Sequence, residues 1–401
     1  MSDAKWNPQQ ALGAMLRHAA VHSPYYSKQE WAPRMRERGG VALGDVPITP
    51  KALVRDQTAQ FFCAVVPPSE GEVLTKATSG STGEPMLIRK TQRQFAIQIA
   101  ENLRLKRGWG FERHWRIVHT SAPNDDHPNG QIEQKEGPGG RREWTIYSGD
   151  TEAALDLLRR TSATHVLSSP SIMLEVLLRS SETSQPLALQ LIATVSELMS
   201  DGLPELVRRI PGCRLVDMYG TVETGLIAIQ CPLCDAYHLA DRHMVVEIVT
   251  DEGQPAEPGE MGRVVVTPLF NLATPLIRYD TGDYAQLAKS AGCPRSPRAI
   301  SRIIGRERNL FKLPDGRKVV PRIPHQTAQD IGLRQFKFVQ TTVRDIELRY
   351  IPRDPRLEIT QEAAQDMVDK YMVPGFRVRC VKVSELPRAP SGKYLMHECL
   401  I

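Results

Sequence analysis

Six consecutive residues, Thr78, Ser79, Gly80, Ser81, Thr82 and Gly83, alternate hydroxyl side chains with bare backbone. Such a loop can wrap an anionic group with main-chain N–H donors, and its hydroxyls add more. Gly80 and Gly83 let the chain turn where a Cβ would clash. Leu74 before the loop and Met86-Leu87-Ile88 after it predict two strands, so the loop is expected at a hairpin tip. A P-loop is excluded. It needs Lys and Ser/Thr directly after its second glycine, at a helix start, and here Glu84 and Pro85 follow. Taken alone, the stretch is also ordinary turn chemistry.

Three later stretches carry matching chemistry. In DMYGTVETG, residues 217–225, Tyr219 can stack on a flat heterocycle and Glu223 can hold Mg²⁺, a hard cation that wants oxygen ligands and phosphates. In LIRYDTGDYA, residues 276–285, Asp283 follows Gly282 at an expected turn and can accept two hydrogen bonds from a ribose diol. In PRAPSGKYLM, residues 387–396, Lys393 follows Ser391-Gly392 and offers a mobile point charge. Such an ammonium can neutralise a carboxylate as it attacks phosphorus. Each stretch by itself also fits a plain turn or a solvated tail.

Cys231-Pro-Leu-Cys234, with His238 four residues on and Cys293 on another loop, offers the Cys₃His set of a tetrahedral zinc. Free thiols are the alternative reading. Four protein ligands leave no open position, so the zinc would be structural. Seven cysteines, an odd count, argue against a disulfide framework. Cys63, Cys213, Cys380 and Cys399 read as packing residues.

The elements that must position these residues follow from apolar spacing. Residues 8–22 have helical periodicity, and Ser23-Pro24 ends it. Thr49 is expected to cap a helix that begins at Pro50. Residues 92–106 predict a helix and 116–120 a buried strand. Residues 121–143, rich in Pro, Gly, Asp, Asn and Glu, predict a long loop or mobile segment. From 151 onward helices and short apolar strands alternate: helices over 151–160, 170–180 and 204–210, strands over 165–167, 189–195 and 215–218. That pattern predicts an α/β fold of layered sheets with flanking helices. Residues 243–250, 262–268 and 277–284 are more β-rich. From Gly305 the character changes to short strands and two helices. The expectation is a large N-terminal domain over 1–304 and a small mobile α+β domain over 305–401.

The chain has 401 residues, 51 Lys+Arg and 46 Asp+Glu, a net charge of +5. That weak bias, without basic runs, argues against nucleic acid as a partner and is compatible with a polyanionic small ligand. Residues 1–10 lack the pattern of a signal peptide, and no run reaches the roughly 18 apolar residues of a membrane span. A cytoplasmic, soluble protein is expected, with no membrane partner.

In this order and at these distances, the four stretches resemble the adenylate-forming superfamily of acyl-CoA synthetases and adenylation domains. Arg302, Gly305-Arg306 and LFKLPDGRKVVP resemble its interdomain junction. Within the superfamily the chain is most similar to phenylacetate-CoA ligase. LRHAAVHSPYYSKQEW and VPITPKALVRD resemble that group's N-terminus, and TVSELM at 194–199 its adenine strip. The resemblance covers nearly the whole chain. It implies that a carboxylate, of the aryl class, attacks the α-phosphate of ATP to give an acyl-adenylate. A thiol, of CoA or of a phosphopantetheine on an acyl or peptidyl carrier protein, then displaces AMP. An amine acceptor, or a non-catalytic nucleotide binder that kept the fold, are the alternatives.

By the same resemblance Thr78–Gly83 hold phosphates. Ser196, Glu197 and Tyr219 frame adenine, with Gly220 and Thr221 beside it. Asp283 takes ribose, Arg306 ribose or phosphate, Glu223 Mg²⁺, and Lys393 the first transition state. His119, Thr120 and Ser169 are acid-pocket candidates. Some phenylacetate-CoA-ligase-like proteins carry cysteines and a histidine in places similar to Cys231, Cys234, His238 and Cys293.

The chain also departs from the family pattern. Val222 stands where the family has Thr or Ser bonding the α-phosphate, with Thr221 and Thr224 as neighbours that could compensate. Met86 and Asp280 stand where lysine and arginine are common. Arg308 and Asn309 stand where Asp-Asp often marks the hinge. The chain is shorter than most relatives, and 121–143 is where its acid pocket is expected to differ.

Overall fold

The computed structural model describes the chain apart from residues 1–6, 39, 78–85, 108, 110–114, 125, 138–139, 184, 200–201, 290–292, 294–297, 322, 373 and 389–393, and the side chains of 38, 107, 325, 326 and 329. By contact the chain forms two compact units: 1–112 with 218–303, and 113–217 with 304–401. These units differ from the expected division into 1–304 and 305–401: residues 304–401 cluster with 113–217.

In the first unit, Asn7 Oδ1 accepts the amides of Gln9 and Gln10 and Pro8 opens the helix Pro8–His22. Its expected apolar face is buried at Met15, Leu16 and Ala19. Val73–Ala77 and Leu87–Thr91 pair antiparallel, with Ala77 opposite Leu87, so the two arms of the expected hairpin exist. The glycine-rich tip itself lies outside the described residues. Thr49 does not cap a helix. Its hydroxyl donates to Ile277 O at 2.8 Å and its backbone bridges Tyr279, leaving Pro50 as cap of the helix Lys51–Asp56. Pairing with a buried strand outweighed the local capping preference.

The sheet strands of this unit include Met261–Pro268, Tyr279–Leu287 and Gly225–Gln230. Residues 218–221 pair antiparallel with Gly225–Gln230, so Tyr219 and Gly220 lie inside a strand and the turn falls later, at 222–224. A Cβ on Gly220 would sit 2.6 Å from Gly225 O, which is why the position is bare. Asp283 is likewise not at a turn. The pairing of Tyr279–Leu287 with Met261–Pro268 slips between Arg263↔Tyr284 and Val265↔Asp280, so 281–283 bulge opposite Val264, with Gly282 at φ 76°. The core beneath holds Tyr26, Trp31, Ile88, Val266 and Tyr279.

In the second unit, Arg116–Ser121, His165–Ser168, Leu191–Thr194 and the start of Arg214–Thr221 run parallel. The helices Thr151–Arg160 and Pro170–Ser181 bury Leu155, Leu158, Met173 and Val176 with Val118, Val166 and Ile192. The long loop expected over 121–143 is corrected: Gln131–Gly137 is a strand, antiparallel to Arg141–Tyr147, which pairs parallel with Arg116–Ser121. Gln131–Gly137 ends the strand order, and its residues are half-buried or exposed on both faces, so it carries no apolar alternation to read.

Residues 305–401 wrap an apolar cluster of their own. Leu333–Gln340 and Asp345–Pro352 alternate, burying Phe336 and Phe338, and Ile346, Leu348 and Tyr350. The Thr360-capped helix Gln361–Tyr371 adds Ala364, Met367 and Val368 at i, i+3, i+4 spacing. Gly305 has φ 93°, and a Cβ there would lie 2.9 Å from Leu198 Cδ1. Among the described residues no helix is long and apolar enough to cross a membrane.

Candidate active site

In the first unit two sets of polar contacts hold three of the expected residues, Tyr219 with Asp283 in one and Glu223 in the other. The Tyr219 hydroxyl donates to Asp283 Oδ2 at 3.0 Å and meets Thr281 Oγ1 at 3.4 Å. Asp283 is aimed by the bulge, since Thr281 Oγ1 donates to Val264 O and accepts the Asp283 amide. Two strand positions before the bulge, Tyr279 donates its hydroxyl to Glu223 Oε1 at 3.2 Å. Thr221 and Thr224 hydroxyls meet at 2.9 Å across the hairpin turn that carries Glu223. Tyr219 and Asp283 are therefore brought together, and Glu223 is tied to the same strand through Tyr279.

Sequence reasoning missed two cations there. Lys51, set on the sheet by the Thr49 bridge, pairs with Glu223 Oε1 at 2.8 Å. Lys90 Nζ donates to Val222 O at 2.6 Å. Lys90 shares the buried side of Leu87–Thr91 with Ile88, and that alternation is the signal that could have found it. Burial pulls the Lys90 ammonium down to about 8, against the opposing charge of Glu223. Burial also pushes the Glu223 carboxyl up. The charge and hydrogen bond of Lys51, with backbone and Thr221 hydrogen bonds, outweigh that and hold it below the usual carboxylate value. An ionised, buried Glu223 fits a hard cation. Asp280 accepts from Arg263 Nη1 at 3.0 Å and from the Gly282 amide, so it braces the bulge.

The second unit holds His119, Thr120, Ser169, Ser196, Glu197 and Arg306. His119 and Thr120 are at the carboxyl end of Arg116–Ser121, Ser169 directly follows His165–Ser168, and Ser196 and Glu197 follow Leu191–Thr194. The carboxyl ends of adjacent parallel strands are where open α/β sheets bind ligands. Thr120 and Ser168 hydroxyls meet at 2.6 Å, and Thr194 donates to Asp217 Oδ1 at 2.7 Å. Ser196 has φ 77°, a left-handed conformation costly for a residue with a Cβ. Glu197 receives the Ser171 and Tyr394 amides, a role that neither motif foretold. Arg306 closes the strand Ala299–Arg306, half-buried. Thr78 to Gly83 and Lys393 lie outside the described residues.

Back in the first unit, the donor atoms of Cys231, Cys234, His238 and Cys293 lie within 4.8 Å of one another. Cys231 and Cys293 sulfurs are 3.8 Å apart, and Cys234 Sγ is 3.5 Å from His238 Nε2. A tetrahedron with Zn–S bonds of about 2.3 Å has edges of about 3.8 Å, so the donor set fits the ion. Burial and the neighbouring thiols push the Cys234 thiol up.

The fold is that of the adenylate-forming CoA ligases. The crystal structure of 2-hydroxyisobutyryl-CoA ligase in the postadenylation state, in complex with R3-HIB-AMP, matches with a TM-score of 0.74 at 15% identity, covering 97% of this chain and 88% of that one. In sequence the chain is more particularly similar to phenylacetate-coenzyme A ligases. That of Pseudomonas putida is 27% identical over 313 residues, 74% of this chain and 69% of the relative. That of Escherichia coli (strain K12) is 26% identical over 320 residues, 75% and 71%. No family model matches the chain.

Proposed function

We propose that this protein activates a carboxylic acid, of the aryl class, as its acyl-adenylate and passes the acyl group to the thiol of CoA. In the first step a carboxylate oxygen bonds to the α-phosphorus of ATP as the bond to pyrophosphate breaks. In the second the thiol sulfur bonds to the acyl carbon, AMP leaves with the bonding electrons, and the thiol proton passes to solvent. The observation that carries this reading is the pair of separate hydrogen bonds, Tyr279 to Glu223 and Tyr219 to Asp283, that tie residues 219–223 to residues 279–283 within one unit. They hold an ionised acid for a metal–phosphate group and a second acid suited to a ribose diol on the same two segments.

On this reading Thr78, Ser79, Gly80, Ser81, Thr82 and Gly83 cradle phosphates. Tyr219 and the backbone at Ser196 and Glu197 frame adenine, with Gly220 giving close approach. Asp283 takes the ribose and Arg306 a ribose or phosphate oxygen. Mg²⁺ held by Glu223 supplies neutralisation of phosphate charge. Lys51 and Lys90 add positive charge around that acid, which offsets the hydroxyl lost at Val222. His119, Thr120 and Ser169 contact the acid. Lys393 neutralises the attacking carboxylate, and residues 305–401 reorient before the thiol attacks, a gating motion. Cys231, Cys234, His238 and Cys293 hold a structural Zn²⁺, and the chain works in the cytoplasm, where its thiols stay reduced.

The test is pyrophosphate–ATP exchange across a panel of aryl and short aliphatic acids. Exchange with one of them, lost in Lys393→Ala, is the expected result. Tight ATP binding without exchange for any acid would leave only a nucleotide binder. CoA, a phosphopantetheinylated carrier protein and simple amines, added to the accumulated adenylate, identify the acceptor. Metal analysis of the purified protein, expected to give one zinc per chain, checks the thiol site; a metal-free protein of unchanged stability would remove it.

A further inference from the structure

Arg141–Tyr147 lies between Arg116–Ser121 and the edge strand Gln131–Gly137, and its register fixes which side chains share a face. His119 pairs with Thr145, and Thr145 with Glu133. One row nearer the carboxyl ends of the parallel strands, Ser121 pairs with Tyr147, and Tyr147 with Gln131. Paired residues project to one side of a sheet, so these six share a face. Each of them is polar and half-buried. On the opposite face Ile146 joins the apolar cluster of Leu155 and Met173.

Parallel strands are ordinarily apolar on both faces. A polar face at their carboxyl ends is where an open α/β sheet takes its ligand. Of the acid-pocket candidates, His119 is on this face. Strands about 4.8 Å apart set the backbone of Glu133 about 10 Å from that of His119. Thr145 between them is the smallest of the three, so the row dips between an imidazole and a carboxylate.

Glu133 is held as an acceptor. Its Oε2 accepts the Tyr147 hydroxyl at 3.3 Å, and its Oε1 is 3.1 Å from His127 Nε2. The His127 ring stacks on that of Tyr147, with centroids 4.1 Å apart and planes 11° apart. The other ring nitrogen, Nδ1, is 3.2 Å from Asn124 Oδ1, which also accepts the amides of Asp126 and His127. Lys135, largely exposed, is 3.6 Å from Glu133 Oε2. Desolvation pushes the Glu133 carboxyl up. The charge of Lys135, the Tyr147 hydrogen bond and His127 outweigh that and hold it below the usual carboxylate value. A carboxylate offers about four lone-pair sites, so these partners leave it acceptor capacity at 30% exposure.

We propose that His119, Thr145 and Glu133 line the far end of the acid pocket, and that Glu133 selects an aryl acid carrying a hydrogen-bond donor, hydroxyl or amino, on its ring. His127 and Tyr147 are positioning residues that aim the carboxylate. This rests on the acid-activation reading given above and narrows its substrate to a chemical class.

The experiment uses the full chain and pyrophosphate–ATP exchange with benzoate and phenylacetate, each plain or with a meta or para hydroxyl, amino or methoxy group. The wild type should favour a hydroxy or amino acid over its plain and methoxy partners at least about tenfold in kcat/KM, and the better of the two identifies the donor. Glu133→Gln should lower kcat/KM for that acid about tenfold, through KM. It should change the plain acid and the KM for ATP less than about threefold. Glu133→Leu should invert the order and favour the plain ring. His127→Ala, which loosens the carboxylate, should fall between the wild type and Glu133→Gln. A wild type that prefers the plain or methoxy ring would overturn the proposal, as would an equal loss for every acid in Glu133→Gln. Absence of exchange by the wild type with every acid would overturn the acid-activation reading instead. Titration calorimetry of the same acids then decides the pocket: donor-selective binding that Glu133→Gln loses supports it, and binding without that selectivity, or none, overturns it.

Discussion

Glu223 and Glu197 are both buried carboxylates with several donors, one in each unit, and they are built differently. Glu223 sits on the turn between two paired strands, and its partners Tyr279 and Lys51 are set by sheet register and by the Thr49 bridge. Separating them means unpairing strands over a core that contains Tyr279 itself. Glu197 holds residues from 305–401, a segment with an apolar cluster of its own around Phe311, Phe338 and Met367. Separating it from Arg388 and Tyr394 exchanges a few hydrogen bonds for water, at about 1 kcal/mol net for each. The same functional group is tied through sheet register in the first setting and through hydrogen bonds to a sequence-distant segment in the second. What decides is whether apolar burial depends on the contact.

The largest expected effect belongs to the first setting. Glu223→Ala should lower pyrophosphate exchange by about 10²- to 10³-fold and, by stranding Lys51, lower stability by about 3 kcal/mol in denaturant unfolding. An unchanged unfolding midpoint would break the comparison. Lys90 sharpens it through pH. Its folded value, about 8 against an ordinary 10.5, means the unfolded chain binds the extra proton between those values. Stability attributable to Lys90 therefore rises with pH across that window and is lost as pH falls through 8. Wild type should gain about 3 kcal/mol on Lys90→Met between pH 8 and 10.5, and parallel curves for the two proteins would refute the assignment. Asp283→Ala should raise the KM for ATP about tenfold and leave thioester formation from preformed adenylate the less affected step. The smallest effect is Tyr219→Phe, about 1 kcal/mol from the lost bond to Asp283, read as a lower melting temperature.

The parallel strands of the second unit were legible because Arg116–Ser121, His165–Ser168 and Leu191–Thr194 are short apolar runs bounded by polar residues and Pro. Gln131–Gly137 was not, because an edge strand takes its pairing from a neighbour and has no dry face to mark. Asp283 was expected at a turn and lies in a bulge, since a bulge is a property of two strands and only one is visible locally. Cys231, Cys234 and His238 were readable from spacing, and Cys293, expected with them from another loop, has its sulfur 3.8 Å from that of Cys231. Lys51 and the side-chain role of Glu197 were out of reach for the same reason: their partners lie far along the chain, and no spacing rule connects 51 to 223 or 197 to 394.

Leu198, the residue after Glu197, lies against Gly305, where even one methyl group would intrude at 2.9 Å. Position 305 also adopts φ 93°, closed to most side chains. The clearance between these two residues is therefore smaller than an alanine, and it is found beside the carboxylate that grips the C-terminal segment. A larger residue at 305 would have to displace the Leu198 side chain as well as hold a left-handed backbone, so this position admits little but glycine.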